Sequence, residues 1–133
     1  MNGVLLDTNA LLFLAFRADK LAERRIARLR GGDRYVSQVC AIEIAIKHGL
    51  GRLSLPPSFQ TNFANGFAEA ISELSAELLE IDMGHIELLS RLPLHHRDPF
   101  DRLIIAQALV ENLTVVTRDR SFALYPGLAV HEI

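Results

Sequence analysis

Short apolar runs alternating with helical stretches predict an α/β sandwich, in which a short parallel sheet is flanked by helices on both faces. Three observations carry that expectation. Val4–Asp7 and Thr114–Thr117 are apolar or β-branched runs too short for helices. Lys20–Arg30 and Val39–Leu50 place apolar residues at helical spacing. Breakers separate the segments, among them Gly31-Gly32-Asp33, Gly49, Gly51 and Pro56-Pro57.

In order, Val4–Asp7 reads as a buried strand stopping at the turn Asp7-Thr8-Asn9. Ala10–Phe16 is helical, with Thr8 or Asn9 as its cap. In the Lys20–Arg30 helix, Ala22, Ile26 and Leu29 share one face and arginines the other. Tyr35–Ser37 is a short strand and Val39–Leu50 a helix. Pro56-Pro57 opens a helix from Ser58 into the seventies. Leu78–Ile81 is a strand, Gly84–Leu92 a helix and Pro93–Arg97 a loop. Asp98-Pro99 starts a strong helix through Glu111. Thr114–Thr117 is a strand, Ser121–Tyr125 one short helix and Ala129–Glu132 the last strand.

The bulk composition sets limits. A chain of 133 residues suits one domain, residues 1–133, with one sizeable core. Half of it is apolar and 23% charged, which disfavours disorder. The net charge of −2 gives no overall basic signature, so a nucleic-acid role must rest on local charge. Cys40 is the sole cysteine, which excludes a disulfide framework and a cysteine zinc site. It reads as a small buried hydrophobe. No apolar run is long enough to span a bilayer, and Arg17, Asp19 and Lys20 interrupt the first apolar stretch too early for a signal peptide. The expectation is a cytoplasmic protein.

Ligands of a parallel α/β sheet bind beyond the carboxyl ends of its strands. Asp7 follows the first strand there, Asp119 follows Thr114–Thr117, and Asp98 and Asp101 begin a helix. Glu43 is embedded among Ala41, Ile42, Ile44, Ala45 and Ile46, where a charge needs a partner. Carboxylates converging on one edge repel and take up protons unless a cation joins them. Mg²⁺ and Mn²⁺ prefer such oxygen ligands, and an ion held this way activates water against a phosphate ester. Singly, each acid has a plainer role. Asp98 is a very good N-cap before Pro99, Asp101 complements the helix dipole, and Asp119 suits a cap at Ser121. Glu43 pairs at i,i+4 with Lys47, and Asp7 is a turn residue. Their coincidence at one edge carries the functional reading.

Arg97, Arg102, Arg118 and Arg120 flank the acids and are the candidate phosphate-binding residues. Arg24, Arg25, Arg28 and Arg30 read first as a solvated helix face. His95-His96 are loop residues that can contact substrate phosphate, because adjacent histidines rarely share one ion. Thr117 and Ser37 are hydroxyls at the same edge that can orient water or ligands. Leu11, Leu12, Phe13, Leu14 and Phe16 exceed the needs of one helix face, which fits either a buried helix or a partner interface.

Four blocks, LLDTNALLFL, EIAIKHGLGRLSLP, LPLHHRDPFDRLIIAQAL and VVTRDRSFALYPGL, resemble in sequence order the PIN-domain proteins of the VapC-like toxin type. The first block alone is weak, whereas the His96–Arg102 run between the others is highly specific. The resemblance covers nearly the whole chain. It implies a PIN-like three-layer sandwich and an endoribonuclease dependent on Mg²⁺ or Mn²⁺. It also implies a homodimer, an RNA substrate and a cognate antitoxin whose tail occupies the active-site groove. By position it assigns Asp7, Glu43 and Asp119 as site acids. The third acid aligns with Asp101, ahead of Leu103, Ile104, Ile105 and Ala106, and leaves Asp98 as cap or outer ligand. In this scheme Asp7, Asp101 and Asp119 hold the metal, Glu43 positions or deprotonates the attacking water, and nearby arginines steady the phosphate.

Rival chemistries fit less well. A haloacid-dehalogenase-like phosphatase needs a second Asp two residues after Asp7, and Asn9 stands there. A receiver-type domain needs an acid after a central strand, and no Asp occurs between Asp33 and Asp82. A binding module that keeps the fold without turnover is the non-enzymatic alternative.

Overall fold

Strand β1, Val4–Leu6, has all three side chains buried. Successive strand side chains point to opposite faces, so both faces of the sheet are covered at this strand. A computed structural model of the chain describes residues 3–17, 24 and 33–133. It places β1 at the centre of a five-stranded, all-parallel sheet. The other strands are β2 (Arg34–Ser37), β3 (Ala76–Leu79), β4 (Thr114–Thr117) and β5 (Val130–Glu132). Their spatial order is β3-β2-β1-β4-β5. Leu5 lies opposite Tyr35 on one side and Val115 on the other. The strand order reverses at β1, which opens a crevice beyond the carboxyl ends of β1 and β4.

Five α-helices accompany the sheet among the described residues: α1 (Thr8–Arg17), α2 (Gln38–Gly49), α3 (Phe63–Glu73), α4 (Met83–Leu89) and α5 (Pro99–Glu111). The α/β sandwich expected from the alternation is thus the observed architecture. Its core joins Leu5, Leu6 and Val116 of the sheet to Leu11, Ile44, Ile104 and Ile105 of the helices. Cys40 is fully buried there, and burial pushes its thiol up to about 12. The helix expected over Lys20–Arg30, with its arginine face, lies outside the described residues save Arg24, which is helical and exposed.

Several boundaries differ from expectation for physical reasons. The cap of α1 is Asp7, not Thr8 or Asn9: Ala10 N–H donates to Asp7 Oδ1 at 2.8 Å. The helix expected from Ser58 divides into a 3₁₀ turn at Pro57–Phe59 and then α3. Asn62 is extended (φ −162°) and accepts from Asn65 N–H at 2.8 Å, so it caps a new helix. β3 begins two residues earlier than expected and its centre is exposed, because an edge strand needs no continuous apolar run. Asp98 caps α5 as expected, and the helix ends at Asn112 in the left-handed region (φ 56°). The short helix after β4 is a 3₁₀ turn, Arg120–Leu124.

Candidate metal centre

Asp7 ends β1 at the crevice and is 1% exposed. Its Oδ1 serves the α1 cap, while Thr117 Oγ1, at the end of β4, donates to Oδ2 at 2.5 Å. Burial pushes the carboxyl up to about 6; these two bonds oppose the rise, and nearby Glu43 and Asp119 reinforce it. Thr117 Oγ1 also accepts from Asp119 N–H at 2.9 Å, so one hydroxyl links the two strand-end acids. Ser37, the other hydroxyl at this edge, instead caps α2 and bonds Gln107.

Glu43 projects from α2 and is 3% exposed. Its Oε2 pairs with Lys47 Nζ at 2.6 Å, the i,i+4 pair anticipated from the sequence. That pair satisfies only half of the group. Oε1 is buried and has no hydrogen-bond partner among the described residues. An unpaired buried carboxylate oxygen is costly, which fits a position meant for a cation or water.

Asp101 occupies the first turn of α5. Its carboxyl is raised to about 7 by burial first, then by the charges of Asp98, Asp7, Glu43 and Asp119. The other four acids therefore all act electrostatically on Asp101. Asp98 Oδ1 is engaged by Phe100 N–H at 2.9 Å and Asp101 N–H at 3.5 Å, which is the capping role. Asp119 differs. Its partial burial raises it, yet two bonds from Ser121, at 2.9 and 2.6 Å, and the neighbouring His96 hold it below the ordinary value.

His96 lies in the loop before α5, as the sequence suggests, but stands beside the acids, which the sequence does not show. A ring nitrogen of His96 and carboxylate oxygens of Asp101 and Asp119 lie within 4.8 Å of one another. The doublet His95-His96 was the only sequence signal, and it gave no reason to prefer one ring. The structure separates them: His96 faces the acids, whereas His95 is exposed with its ring edge-on to Tyr125.

The four flanking arginines do not act together. Arg102 turns aside, its Nη2 donating to the Leu92 carbonyl at 3.2 Å. Arg120 is exposed, 3.9 Å from Glu132. Arg97 is exposed. Arg118 lays its guanidinium over the Phe13 ring at 4.3 Å, lining a groove of about 310 Å³ with Asn9, Leu12 and Phe13. Leu11 and Leu14 are buried in the core, while Leu12, Phe13 and Phe16 are half-buried.

A divalent cation fits this donor set. Two carboxyls are driven toward protonation by burial and by each other, and a third keeps an unpaired oxygen inward. A cation relieves both strains at once. Asp7, Asp101 and Asp119 are the residues that would hold it, directly or through water.

Comparison with known proteins places the chain. The PIN-domain family profile matches residues 4–128, so the chain belongs to the PIN-domain family. No curated protein matches it by sequence. Among solved structures it is similar to VapBC2 from Rickettsia felis bound to a promoter DNA fragment, with a TM-score of 0.76 and 16% identity over 98% of each chain. It is also similar to DNA-bound VapBC from Salmonella typhimurium, at TM-score 0.71 and 22% identity, over 99% of this chain and 98% of that one. A third likeness is to VapBC-5 of Mycobacterium tuberculosis, of the VapBC family of toxin–antitoxin systems, at 0.61 and 23%, over 100% and 98%. At these identities the likeness is one of fold. No described helix is long and apolar enough to cross a membrane.

Proposed function

We propose that the chain is a Mg²⁺- or Mn²⁺-dependent endoribonuclease, the toxin half of a VapBC-like toxin–antitoxin pair. The observation that carries this reading is a set of acids at the carboxyl edge of the sheet: Asp101 and Asp119 offer oxygens within 4.8 Å of each other, Thr117 links Asp7 to the Asp119 backbone, and Glu43 Oε1 is buried without a partner among the described residues. Membership of the PIN family and the fold shared with VapBC structures support it. A bound divalent ion would polarise the scissile phosphate and lower the pKa of a water. Asp7, Asp101 and Asp119 supply the negative charge that retains such an ion. Thr117 fixes Asp7 and the Asp119 backbone so that neither carboxylate must reorganise. Glu43 Oε1 accepts a proton from the attacking water, while Lys47 holds Oε2 still. Arg118, which follows β4 and lies over Phe13 in the neighbouring groove, offers a cation for the RNA backbone.

In this reading the protein is cytoplasmic, consists of one PIN domain over residues 1–133, pairs as a homodimer and is silenced by a cognate antitoxin in its groove. Induced expression in a bacterial host tests it. Wild type should arrest growth and leave new RNA ends, and Asp7→Asn should do neither. Arrest by Asp7→Asn as strong as by wild type would exclude the nuclease as the cause.

A further inference from the structure

The residues expected to hold the cation are oxygen donors, yet a nitrogen donor stands among them. His96, Asp101 and Asp119 offer ligand atoms within 4.8 Å of one another. Bonds of about 2.1 Å to one small ion put adjacent ligand atoms ~3 Å apart and opposite ones ~4.2 Å, so the three side chains would close in on a bound ion. The imidazole is firmly held. The His96 backbone N–H donates to Tyr125 Oη at 2.9 Å, and the ring stands edge-on to the fully buried Phe122 at 5.0 Å. Ser121 Oγ lies 3.1 Å from Nε2 and 3.4 Å from Nδ1, and donates to Asp119 Oδ1 at 2.6 Å. Nε2 is the nitrogen that faces the acids, 3.6 Å from Asp119 Oδ2, which leaves Nδ1 to meet Ser121 Oγ at 3.4 Å, the kind of outer hydrogen bond that ligating imidazoles use. A second observation points to a ligand at the same edge of the sheet: Glu43 Oε1 is buried and has no hydrogen-bond partner among the described residues.

The other cluster of metal-binding types, Asp82, His85 and Glu111, lacks these features. His85 Nδ1 accepts from Asp82 N–H at 3.1 Å and Nε2 meets Glu111 at 2.9 Å, so both nitrogens are spent tying α4 to α5.

We infer that His96 is an imidazole ligand of the metal centre, beside Asp101 and Asp119, and that the centre therefore favours Mn²⁺ over Mg²⁺. Mg²⁺ demands hard oxygen donors in a near-ideal octahedron, whereas a mixed nitrogen and oxygen set suits ions further along the first transition row. The inference rests on the metal-centre reading above and is separable from it.

The test is calorimetric titration of the full chain with Mn²⁺ and with Mg²⁺, joined to pulsed EPR of the Mn²⁺ complex. The wild-type complex should show ¹⁴N coupling from a directly bound imidazole. His96→Phe, which keeps a ring against Phe122, should lose that coupling and weaken Mn²⁺ binding about tenfold or more, while changing Mg²⁺ less. Mn²⁺ bound to wild type without nitrogen coupling would overturn the assignment and leave His96 as an ion-pair partner of Asp119. If Asp101→Asn abolishes binding while His96→Phe keeps the Mn²⁺/Mg²⁺ ratio, the centre stands and the imidazole ligand falls. Failure of wild type to bind either ion would overturn both.

Discussion

At the scale of single residues, the centre is defined by carboxyls held against their own ionisation. Asp7 titrates at about 6 and Asp101 at about 7, against an ordinary 3.8. Both folded values lie above the unfolded one, so between pH 4 and 7 the folded chain binds more protons than the unfolded chain. By linkage, the stability these groups contribute is greatest below pH 4 and declines as pH rises through 6 and 7. In EDTA, their effect is therefore a melting temperature that falls from pH 5 to pH 7.5. Asp7→Asn, which removes the charge and keeps one acceptor oxygen for Ala10 N–H, should lessen that fall. Thermal melts of the two chains across this range check it, and equal slopes would mean that Asp7 is not the strained group. The residue scale is also where sequence reading reached its limit. Asp7 and Asp119 were legible because each follows a strand, and Asp101 because it opens a helix. His96 was not, since its place beside them depends on Tyr125 and Phe122, which anchor it from 29 and 26 positions away.

At the scale of elements, two acids three residues apart differ: one is the cap of α5, and the other is the proposed ligand. Asp98 spends Oδ1 on the first turn of α5, whereas Asp101 turns toward His96 and Asp119. Asp98→Ser preserves an N-cap acceptor and should keep stability within a few tenths of a kcal/mol, while Asp98→Ala should cost about 1 kcal/mol. If the capping role is the whole role, Asp98→Ser also keeps Mn²⁺ affinity, which Asp101→Asn loses. Urea unfolding and metal titration of these variants separate the two acids, and a loss of affinity in Asp98→Ser would make Asp98 an outer ligand. The break before α3 has its own test. A Cβ on Gly66 would stand 2.4 Å from Phe59 Cγ, so the turn and the helix touch only through glycine. Gly66→Ala should destabilise the chain by roughly 1–3 kcal/mol despite alanine's better helix propensity. An unchanged urea midpoint would place Phe59 elsewhere. This break was illegible in the sequence because Asn62 and Gly66 look unremarkable until Phe59 is folded onto them. The edge strand β3 was mislocated for a related reason: its exposed residues lack the periodic pattern that marked β1 and β4.

At the scale of the molecule, strand order makes the site. β1 gathers β2 on one side and β4 on the other, and only that reversal brings the end of the first strand beside the end of the fourth. The α/β class was readable from alternating runs, and the edge on which the acids gather followed from parallel strands. The order β3-β2-β1-β4-β5 was not derivable from local pattern, since β1 and β4 are more than a hundred residues apart and no local signal links them. The same reversal explains why Thr117 can reach Asp7 across 110 positions. Family membership supports the catalytic reading, and the proposed scheme makes the sharper demand: a metal-dependent centre that should fail when any of its acids is neutralised. The direct measurement is incubation of the purified chain with total RNA and Mn²⁺, beside an EDTA control and Asp7→Asn. Discrete fragments from wild type, absent with EDTA and reduced more than about 100-fold by Asp7→Asn, are predicted. Fragments that persist in EDTA, or that Asp7→Asn produces as readily as wild type, would contradict a metal-dependent centre built on these carboxylates.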